Sequence, residues 1–272
     1  MGDLDRYARH TRVLREEELG KVMRHFKCNP SRVLEIGAGN GWHAQLISAL
    51  GHYVEAIDTA PWLGSVYPVH AYDGVNIPFS DGSFDVVFSS SVLEHIADLC
   101  KTEREIARVL DDTGVAIHIV PTPVWRILTT LTYYPALPWI TAGVFRQLRG
   151  GTNRVSDAAQ NQDIQERSPD GSQSTPSKAI SLKRLLKWAC TLAVSPRHGE
   201  RGNRITEAWY FRKKWWECHF IENGFDIISI EDSGILYGGN ILFGDIIPIR
   251  VRRYIARIFG SSSRIFILKK QR

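Results

Sequence analysis

The chain has 272 residues, 43% of them hydrophobic, with 34 basic and 29 acidic side chains and a formal net charge of +5. This length and composition suit one large α/β domain with an elaboration. The four cysteines (Cys28, Cys100, Cys190 and Cys218) lack the spacing of metal ligands and no signal-peptide pattern is present, so we expect reduced thiols in a cytoplasmic protein and no metal site.

The first predicted element is an N-terminal amphipathic helix over residues 4–26. Its apolar residues recur at helical spacing with charged residues between them, which predicts that one side of the helix is buried. These residues are Leu14, Leu19, Val22, Met23 and Phe26.

The most informative segment is Arg32-Val-Leu-Glu-Ile-Gly-Ala-Gly-Asn-Gly41, a short apolar strand that ends in an acid and then in three alternating glycines. Gly37, Gly39 and Gly41 allow a sharp turn whose bare backbone approaches a ligand that a Cβ would exclude, so the pattern predicts a nucleotide-binding turn. A dinucleotide turn requires Gly-x-Gly-x-x-Gly. Because the residue after Gly41 is Trp42, an NAD-binding interpretation is weakened.

The next predicted strand, residues 51–58, closes on Asp58, which lies 58 − 37 = 21 residues beyond Gly37. Across a strand-helix-strand unit this separation brings the carboxylate to the sheet edge, where it can accept hydrogen bonds from two ribose hydroxyls. Asp58 is therefore the predicted ribose ligand. An acid that only caps the loop before Pro61 is the alternative.

A Pro and Asp-Gly turn then leads into a strand over residues 84–88 that is apolar except for Asp85, which is typical of a central parallel strand covered on both faces. A helix with charges between its apolar positions is predicted over residues 99–110, with a glycine stop at residues 111–114. A buried fifth strand over residues 115–120 comes next. It ends at Pro121-Thr-Pro123, where no β-ladder could continue.

Together these segments resemble the class I S-adenosylmethionine-dependent methyltransferases. The acid, the alternating glycines and the helix-like residues 42–50 are similar to that family's first motif, and Leu93-Glu-His95 is similar to the helix start of its small-molecule members. The resemblance covers roughly residues 7–121 and 211–270. It implies an α/β fold with a Rossmann-like, seven-stranded, mostly parallel sheet, helices on both faces, a helical insertion after strand five, and S-adenosyl-L-methionine as the cofactor.

The resemblance also implies which residues hold the cofactor. Asp73 corresponds to the family's acid after the third strand, which accepts from the adenine amino group, although Asp-Gly is also a common plain turn. Ser89 and Ser90 correspond to the backbone that holds the amino-acid end of the cofactor. The full predicted set is Glu35, Gly37, Ala38, Gly39, Gly41, Asp58, Thr59, Asp73, Gly74, Ser89 and Ser90.

Two histidines are candidate catalytic residues. His95 either acts as a general base or only helps to close the cofactor pocket or to cap a turn. His198 belongs to Ser195-Pro-Arg-His-Gly-Glu200. Insertions after strands five and six overhang the acceptor site in this fold, because ligands gather at the carboxyl ends of the strands. His198 is therefore a candidate base or acceptor contact, and a solvated loop histidine is the alternative.

Residues 122–209 form a predicted insertion on the acceptor side. Residues 127–145 carry no charge, but Pro135 and Pro138 argue against a simple membrane-spanning helix, so we expect one helix, a bend and a second short helix. This segment could form an apolar lid, rest in a membrane interface or be a buried core helix. Residues 150–181 contain almost no large apolar side chains and are predicted to be disordered.

Residues 210–272 are predicted to complete the fold. We expect a helix over residues 210–224, strand six over residues 225–231 and an antiparallel last strand over residues 264–269. The basic excess also lies in this quarter, since 13 basic and 8 acidic residues occur from Glu200 onward.

Residues 249–259 predict a basic amphipathic helix, with an apolar face and an arginine face. The apolar face holds Val251, Tyr254, Ile255 and Ile258, and the basic face holds Arg250, Arg253 and Arg257. Such a helix could lie on anionic lipid or meet an acidic acceptor, and the alternative is a surface helix packed on the domain with solvated arginines. No recognised motif points to nucleic acid as a partner.

The sequence therefore predicts a methyltransferase whose cofactor-binding half is residues 1–121 and whose last strands are residues 210–272. Its expected acceptor is a small molecule or a lipid- or glycan-linked molecule, methylated on oxygen. Peripheral contact with the inner membrane face is expected through residues 124–145 and 249–259. Two alternatives stay open: a non-catalytic partner protein of the same fold, and an NAD-dependent oxidoreductase.

Overall fold

One sheet with helices on both of its faces forms the fold. The computed structural model describes residues 3–26, 29–149, 195–238 and 246–271. The helices are α1 (Asp3–Val22), α2 (Trp42–Ala49), α3 (Leu99–Val109), α4 (Pro123–Arg149), α5 (Glu207–Tyr210), α6 (Lys213–Glu222) and α7 (Ile249–Phe259). The strands are β1 (Arg32–Ile36), β2 (Tyr53–Asp58), β3 (His70–Ala71), β4 (Phe84–Ser90), β5 (Leu110–Pro121), β6 (Phe225–Asp232) and β7 (Ser263–Lys270).

The strand order in the sheet is β3-β2-β1-β4-β5-β7-β6. The pairs among β1 to β5 are parallel, and β7 runs antiparallel to both β5 and β6. From β1 the chain proceeds to one side of the sheet and from β4 to the other, so the order reverses between these two strands. Ligands of such sheets bind outside the carboxyl ends of the strands at this reversal. The predicted Rossmann-like fold class is confirmed.

Both faces of the sheet are buried, which explains why its central strands are apolar without alternation. On one face, Leu34 of β1 belongs to the same buried cluster as Phe220 of α6. On the other face, Val33 belongs to a cluster with Ile47 of α2. Full burial of each such side chain stabilises the fold by about 1.5–3 kcal/mol.

The boundary between α3 and β5 differs from the prediction. The helix predicted over residues 99–110 is α3, but residues 111–114, predicted as its glycine stop, belong to β5 instead. Gly114 is required there by close packing, because a Cβ would lie 3.0 Å from the backbone oxygen of Asp85 on the neighbouring strand.

The predicted bend in the insertion is wrong, because α4 continues through Pro135 and Pro138. Each proline deprives the carbonyl four residues earlier of its helical donor. Those carbonyls belong to Leu131 and Tyr134, whose residues are exposed, so water can satisfy them and the helix continues. The predicted disorder over residues 150–181 lies outside the described residues.

None of the helices in the described ranges combines the length and the apolar character needed to cross a bilayer. Cys100 and Cys218 are free thiols, and both are exposed. Cys28 and Cys190 lie outside the described residues.

The basic helix predicted over residues 249–259 is α7, but most of its apolar face is exposed, with only Ile255 half-buried. The helix buries Arg252 and Ala256. Arg252 donates to the backbone oxygens of Ile247 at 3.0 Å and Leu236 at 3.2 Å. An apolar side chain would leave these carbonyls unpaired, which accounts for a buried arginine here. The exposed apolar residues of the helix are Val251, Tyr254, Ile258 and Phe259.

Replacement of Phe220 by alanine tests the packing of α6 on the sheet. Phe220 is fully buried, and its ring lies 5.2 Å from that of Phe266 on β7. Phe220→Ala should lower the free energy of unfolding by about 3–5 kcal/mol, measured by urea denaturation. The control is Ile221→Ala on the same helix, whose residue is 53% exposed and which should change stability by less than about 0.5 kcal/mol. Equal effects of the two variants would contradict this packing.

Candidate cofactor and acceptor site

The glycine turn after β1 is held by hydrogen bonds to the end of β2. The N–H groups of Gly37 and Ala38 both donate to the backbone oxygen of Ile57, at 2.8 and 3.1 Å. The N–H group of Gly39 donates to Oδ2 of Asp58 at 2.8 Å. These three successive N–H groups are thus used inside the protein, and none of them is left to bind a phosphate.

All three glycines of the turn have left-handed φ angles, but their surroundings differ. A Cβ at Gly37 would lie 2.4 Å from Cγ2 of Val92, and a Cβ at Gly41 would lie 2.8 Å from Cβ of Tyr67. A Cβ at Gly39 would meet open space. The first and third glycines are therefore required by the protein's own packing, whereas Gly39 has open space beside it.

Glu35, near the end of β1, is a buried acid with one uncommitted oxygen. Its residue is 2% exposed, and Oε1 lies 3.0 Å from Nδ1 of His43 on α2. Oε2 has no hydrogen-bond partner among the described residues. A buried carboxylate oxygen without a partner is costly, so this position favours a ligand that brings a donor.

Asp58 and Thr59 lie next to Gly74 at the carboxyl ends of β2 and β3. A Cβ at Gly74 would lie 3.0 Å from Cγ2 of Thr59. Oδ1 of Asp58 accepts from the N–H group of Ala60 at 2.9 Å. Each carboxylate oxygen of Asp58 therefore accepts one hydrogen bond within the protein and keeps a second lone pair for a ligand.

Asp73 forms the turn that the sequence left open as an alternative. Its Oδ1 accepts from the N–H groups of Asn76 at 2.7 Å and Val75 at 2.8 Å, and its Oδ2 accepts from Nδ2 of Asn76 at 2.6 Å. The hydrogen bonds from Asn76 and then Val75 hold the pKa of Asp73 below its usual value. The adenine contact of Asp73 stays a prediction.

The two serines that end β4 point to opposite sides of the strand. Oγ of Ser89 lies 2.8 Å from Nδ1 of His118 on β5, and both side chains are fully buried. Burial lowers the pKa of His118 to about 3, so its ring is neutral. Ser90 faces the other way, and its hydroxyl accepts from Nη1 of Arg15 at 3.4 Å.

Arg15 on α1 reaches the end of β4, although nothing in the sequence predicts this position. It donates to the hydroxyl of Ser91 at 3.1 Å and pairs with Glu18 at 2.9 Å. Glu18 also accepts from the hydroxyls of Tyr237, at 3.2 Å, and Ser263. This network fixes α1 across the carboxyl end of β4. Because charged residues recur along the whole of this amphipathic helix, the sequence does not indicate which of them points into the protein.

Both predicted catalytic histidines lie in one cluster with Glu94. Nε2 of His198 lies 3.6 Å from Oε1 of Glu94, and Nε2 of His95 lies 3.9 Å from the same oxygen. The two imidazole rings meet edge to face with centroids 4.5 Å apart. Glu94 and His95 come from the 3-10 turn directly after β4, so this cluster adjoins the serines at the end of that strand.

A buried ion pair fixes the segment that carries His198. Glu207 of α5 accepts from the N–H groups of His198 at 2.8 Å and Gly199 at 3.2 Å, and it pairs with Arg126 of α4. A Cβ at Gly199 would lie 3.0 Å from the backbone oxygen of Glu94. The segment is thus packed directly on the turn after β4. Neither Glu207 nor Arg126 carries a sequence signal, because each is a single charge outside any motif.

These features fit S-adenosylmethionine, the cofactor that the resemblance implies. That molecule brings ribose hydroxyls and an ammonium group as donors and has no phosphate. Asp58 and Oε2 of Glu35 provide acceptors, Gly39 leaves open space, and the turn spends its N–H groups inside the protein.

Comparison with known proteins identifies a family match and relatives over part of the chain. Residues 34–118 match the family model described as a methyltransferase domain. A probable S-adenosylmethionine-dependent methyltransferase of Mycobacterium tuberculosis is 34% identical over 102 residues, 35% of this chain and 37% of that protein. A ubiquinone biosynthesis O-methyltransferase of Xanthomonas euvesicatoria is 33% identical over 96 residues, 31% of this chain and 40% of that protein.

A solved structure shares the fold over almost the whole chain. The putative S-adenosylmethionine-dependent methyltransferase of Listeria monocytogenes superposes with a TM-score of 0.50 and 16% identity, covering 96% of this chain and 98% of that one. At this identity the likeness concerns the fold alone. The chain spans less than half the length of the two relatives matched by sequence. The residues that match the family model, 34–118, contain the glycine turn and the end of β4.

The buried His118 predicts a pH dependence of stability. Its folded pKa of about 3 lies below the unfolded value of about 6.5, so the unfolded chain gains a proton first as the pH falls. This histidine should lower the free energy of unfolding by about 2 kcal/mol between pH 7.5 and pH 5. In His118→Gln, the free energy of unfolding measured by urea denaturation should therefore change by about 2 kcal/mol less over this pH range than in the wild type. The control His70→Gln, at an exposed histidine, should keep the wild-type dependence, and an unchanged slope in His118→Gln would contradict the assignment.

Proposed function

We propose that this chain, which belongs to the class I S-adenosylmethionine-dependent methyltransferases, methylates an oxygen atom of a small-molecule or lipid- or glycan-linked acceptor at a membrane surface. The cofactor is S-adenosyl-L-methionine. The observation that carries the proposal is the glycine turn, whose N–H groups bond to β2 while Asp58 keeps lone pairs beside the open space at Gly39. The Xanthomonas relative is named an O-methyltransferase, which supports oxygen as the methylated atom.

The chain's own residues have three tasks in this reaction. The bound cofactor supplies a methyl group that is already activated on a sulfonium sulfur. The protein therefore has to orient the acceptor and exclude water, and an alcohol acceptor must also lose its proton. His95, which is partly exposed, and His198, which is nearly buried, are the residues proposed to hold the acceptor oxygen or take its proton.

Replacement of Asp58 by alanine tests the cofactor assignment. Asp58→Ala should weaken the binding of S-adenosylhomocysteine by about 1–3 kcal/mol, roughly 5- to 150-fold, because ribose hydroxyls would lose their acceptor. Isothermal titration calorimetry measures this affinity. The control is Asp226→Ala, since Asp226 is an exposed acid paired with Lys269 at the other side of the sheet.

Titration with NADH in parallel distinguishes the alternatives. Unchanged affinity for S-adenosylhomocysteine in Asp58→Ala would remove the ribose assignment. Binding of NADH but not of S-adenosylhomocysteine would favour an oxidoreductase, and binding of neither would favour a non-catalytic partner protein of the same fold.

An exposed apolar groove supports an acceptor with an apolar part. The groove has a volume of about 480 Å³ and lies between α4 and α5. Ile127, Ile205 and Trp209 line it, and all three are exposed. Exposed apolar side chains that form a contiguous patch are typical of ligand-binding grooves, whereas singly exposed apolar residues are ordinary. The same first turns of α4 and α5 hold the His198 segment through Arg126 and Glu207.

Two exposed apolar stripes support contact with an anionic bilayer. On α4, Ile127, Leu131 and Tyr134 are exposed at helical spacing. On α7 the exposed apolar residues stand beside three exposed arginines (Arg250, Arg253 and Arg257). A Cβ at Gly260, after α7, would lie 3.2 Å from Cγ2 of Val124 on α4, so the two helices adjoin. Apolar residues next to cations are typical of helices that lie on anionic lipid.

Vesicle binding tests the membrane part of the proposal. The protein should cosediment with phosphatidylglycerol vesicles but not with phosphatidylcholine vesicles, and high salt should weaken the binding. The double variant Tyr254→Ser, Ile258→Ser should reduce binding by about 10-fold or more, because two apolar side chains lose their insertion into lipid. Ile228→Ser, at an exposed isoleucine of β6, should have little effect. Equal binding to both lipids would argue against this surface.

A further inference from the structure

We infer that Glu94, His95 and His198 together bind one divalent transition-metal ion. The cluster offers two imidazole nitrogens and one carboxylate oxygen within 4.8 Å of one another. This ligand set suits Zn²⁺ and its first-row neighbours, whereas Mg²⁺ and Ca²⁺ prefer oxygen ligands alone. Three protein ligands with a position left for another molecule are typical of catalytic rather than structural zinc sites.

The carboxylate of Glu94 is the observation that points to a cation. Its residue is 2% exposed, and neither carboxylate oxygen accepts a hydrogen bond in the part of the chain that the structure describes. The nearby guanidinium of Arg201 donates to the backbone oxygens of Leu93 and Ile96 instead. Burial of a carboxylate without hydrogen bonds is costly, and a metal ion held between it and the two imidazoles would compensate that cost.

The distances in the cluster are close to those of a metal site. The two nitrogens lie 3.6 and 3.9 Å from Oε1 of Glu94. A tetrahedral ion with bonds of about 2.0–2.1 Å needs its ligand atoms about 3.3 Å apart. Small side-chain rotations close this difference, and His95 has room to make them because its side chain is 41% exposed.

Several contacts position His198, whose side chain is the less exposed of the two imidazoles. The ring of His198 lies 4.4 Å from that of Trp125 between centroids, and its backbone is held by Glu207. The N–H group of Glu200 donates to the backbone oxygen of Glu94 at 2.8 Å, which ties the His198 segment to the turn. Ligands supported in this way are pre-organised, so less ordering is required when the ion binds.

The role of the ion rests on the proposed function. An ion held by these three residues would have an open position for the hydroxyl oxygen of the acceptor, and its positive charge would lower the pKa of that hydroxyl. The released proton would pass to solvent, which the partly exposed side chain of His95 adjoins. The two histidines then act as ligands and not as bases. The acceptor class is narrowed to molecules that present an ionisable hydroxyl, such as a phenol or an enol.

Metal titration of the full chain tests the inference without an activity assay. After removal of metal with a chelator, the protein should bind one equivalent of Zn²⁺ by calorimetry, and Co²⁺ should give the visible absorption of a site with imidazole ligands. Glu94→Gln and His198→Gln should each weaken Zn²⁺ binding by more than about 10-fold, since even the loss of an outer partner of a ligand costs about that much. His95→Gln, at a partly exposed residue, should do the same without a risk to folding.

The control variant is His25→Gln. His25 also pairs with a carboxylate, at 3.0 Å from Glu231, but no third ligand is present in its described surroundings, so this variant should bind Zn²⁺ like the wild type. Absence of stoichiometric Zn²⁺ binding, or equal binding by wild type and Glu94→Gln, would overturn the inference. S-adenosylhomocysteine is titrated in parallel. If the protein binds S-adenosylhomocysteine but not Zn²⁺, only the metal site is overturned. If the protein binds Zn²⁺ but not S-adenosylhomocysteine, only the proposed function is overturned.

Discussion

The hydrogen bonds from the glycine turn to the end of β2 are the constraint on which the site depends. One carbonyl, that of Ile57, holds two successive N–H groups, and the carboxylate of Asp58 holds the third. The three amides are thus directed into the protein, and the second lone pairs of Asp58 are left for a ligand. A pyrophosphate would find few partners there, while a ligand with hydroxyl and ammonium groups finds Asp58 and Glu35. The class of cofactor thus depends on where the amides of three residues are directed.

Most of the fold could be predicted because its signals are local. Apolar runs bounded by glycine or proline on at least one side give β1, β4 and β5, and charge periodicity gives α3. The same reasoning failed where tertiary context decides the outcome. Residues 111–114 look like a turn but belong to the strand that pairs with β4. The helix continues through Pro135 and Pro138, where the orphaned carbonyls belong to exposed residues. The outward apolar face of α7 results from the carbonyls that Arg252 satisfies, which no periodicity reveals.

The site shows the same division between local and distant information. The glycine turn and Asp58 belong to one strand-helix-strand unit, so spacing alone predicted that they meet. The sequence also indicated His95 and His198 separately, but not that both face one buried carboxylate. Their meeting depends on the return of the chain after α4, which the pair of Arg126 with Glu207 holds in place. Such a pair is costly to bury unless both partners are satisfied, and here the backbone of the His198 segment provides the second set of bonds.

The place of β7 in the sheet affects how the chain folds during synthesis. Residues 263–270 lie between β5 and β6, so in the described sheet β6 gains its partner strand only after these residues have been synthesised. Until then the edge of β5 that pairs with β7 is unpaired, and an unpaired strand edge is a template for association with other nascent chains. A translation intermediate that has completed β6 but not β7 is therefore prone to such association.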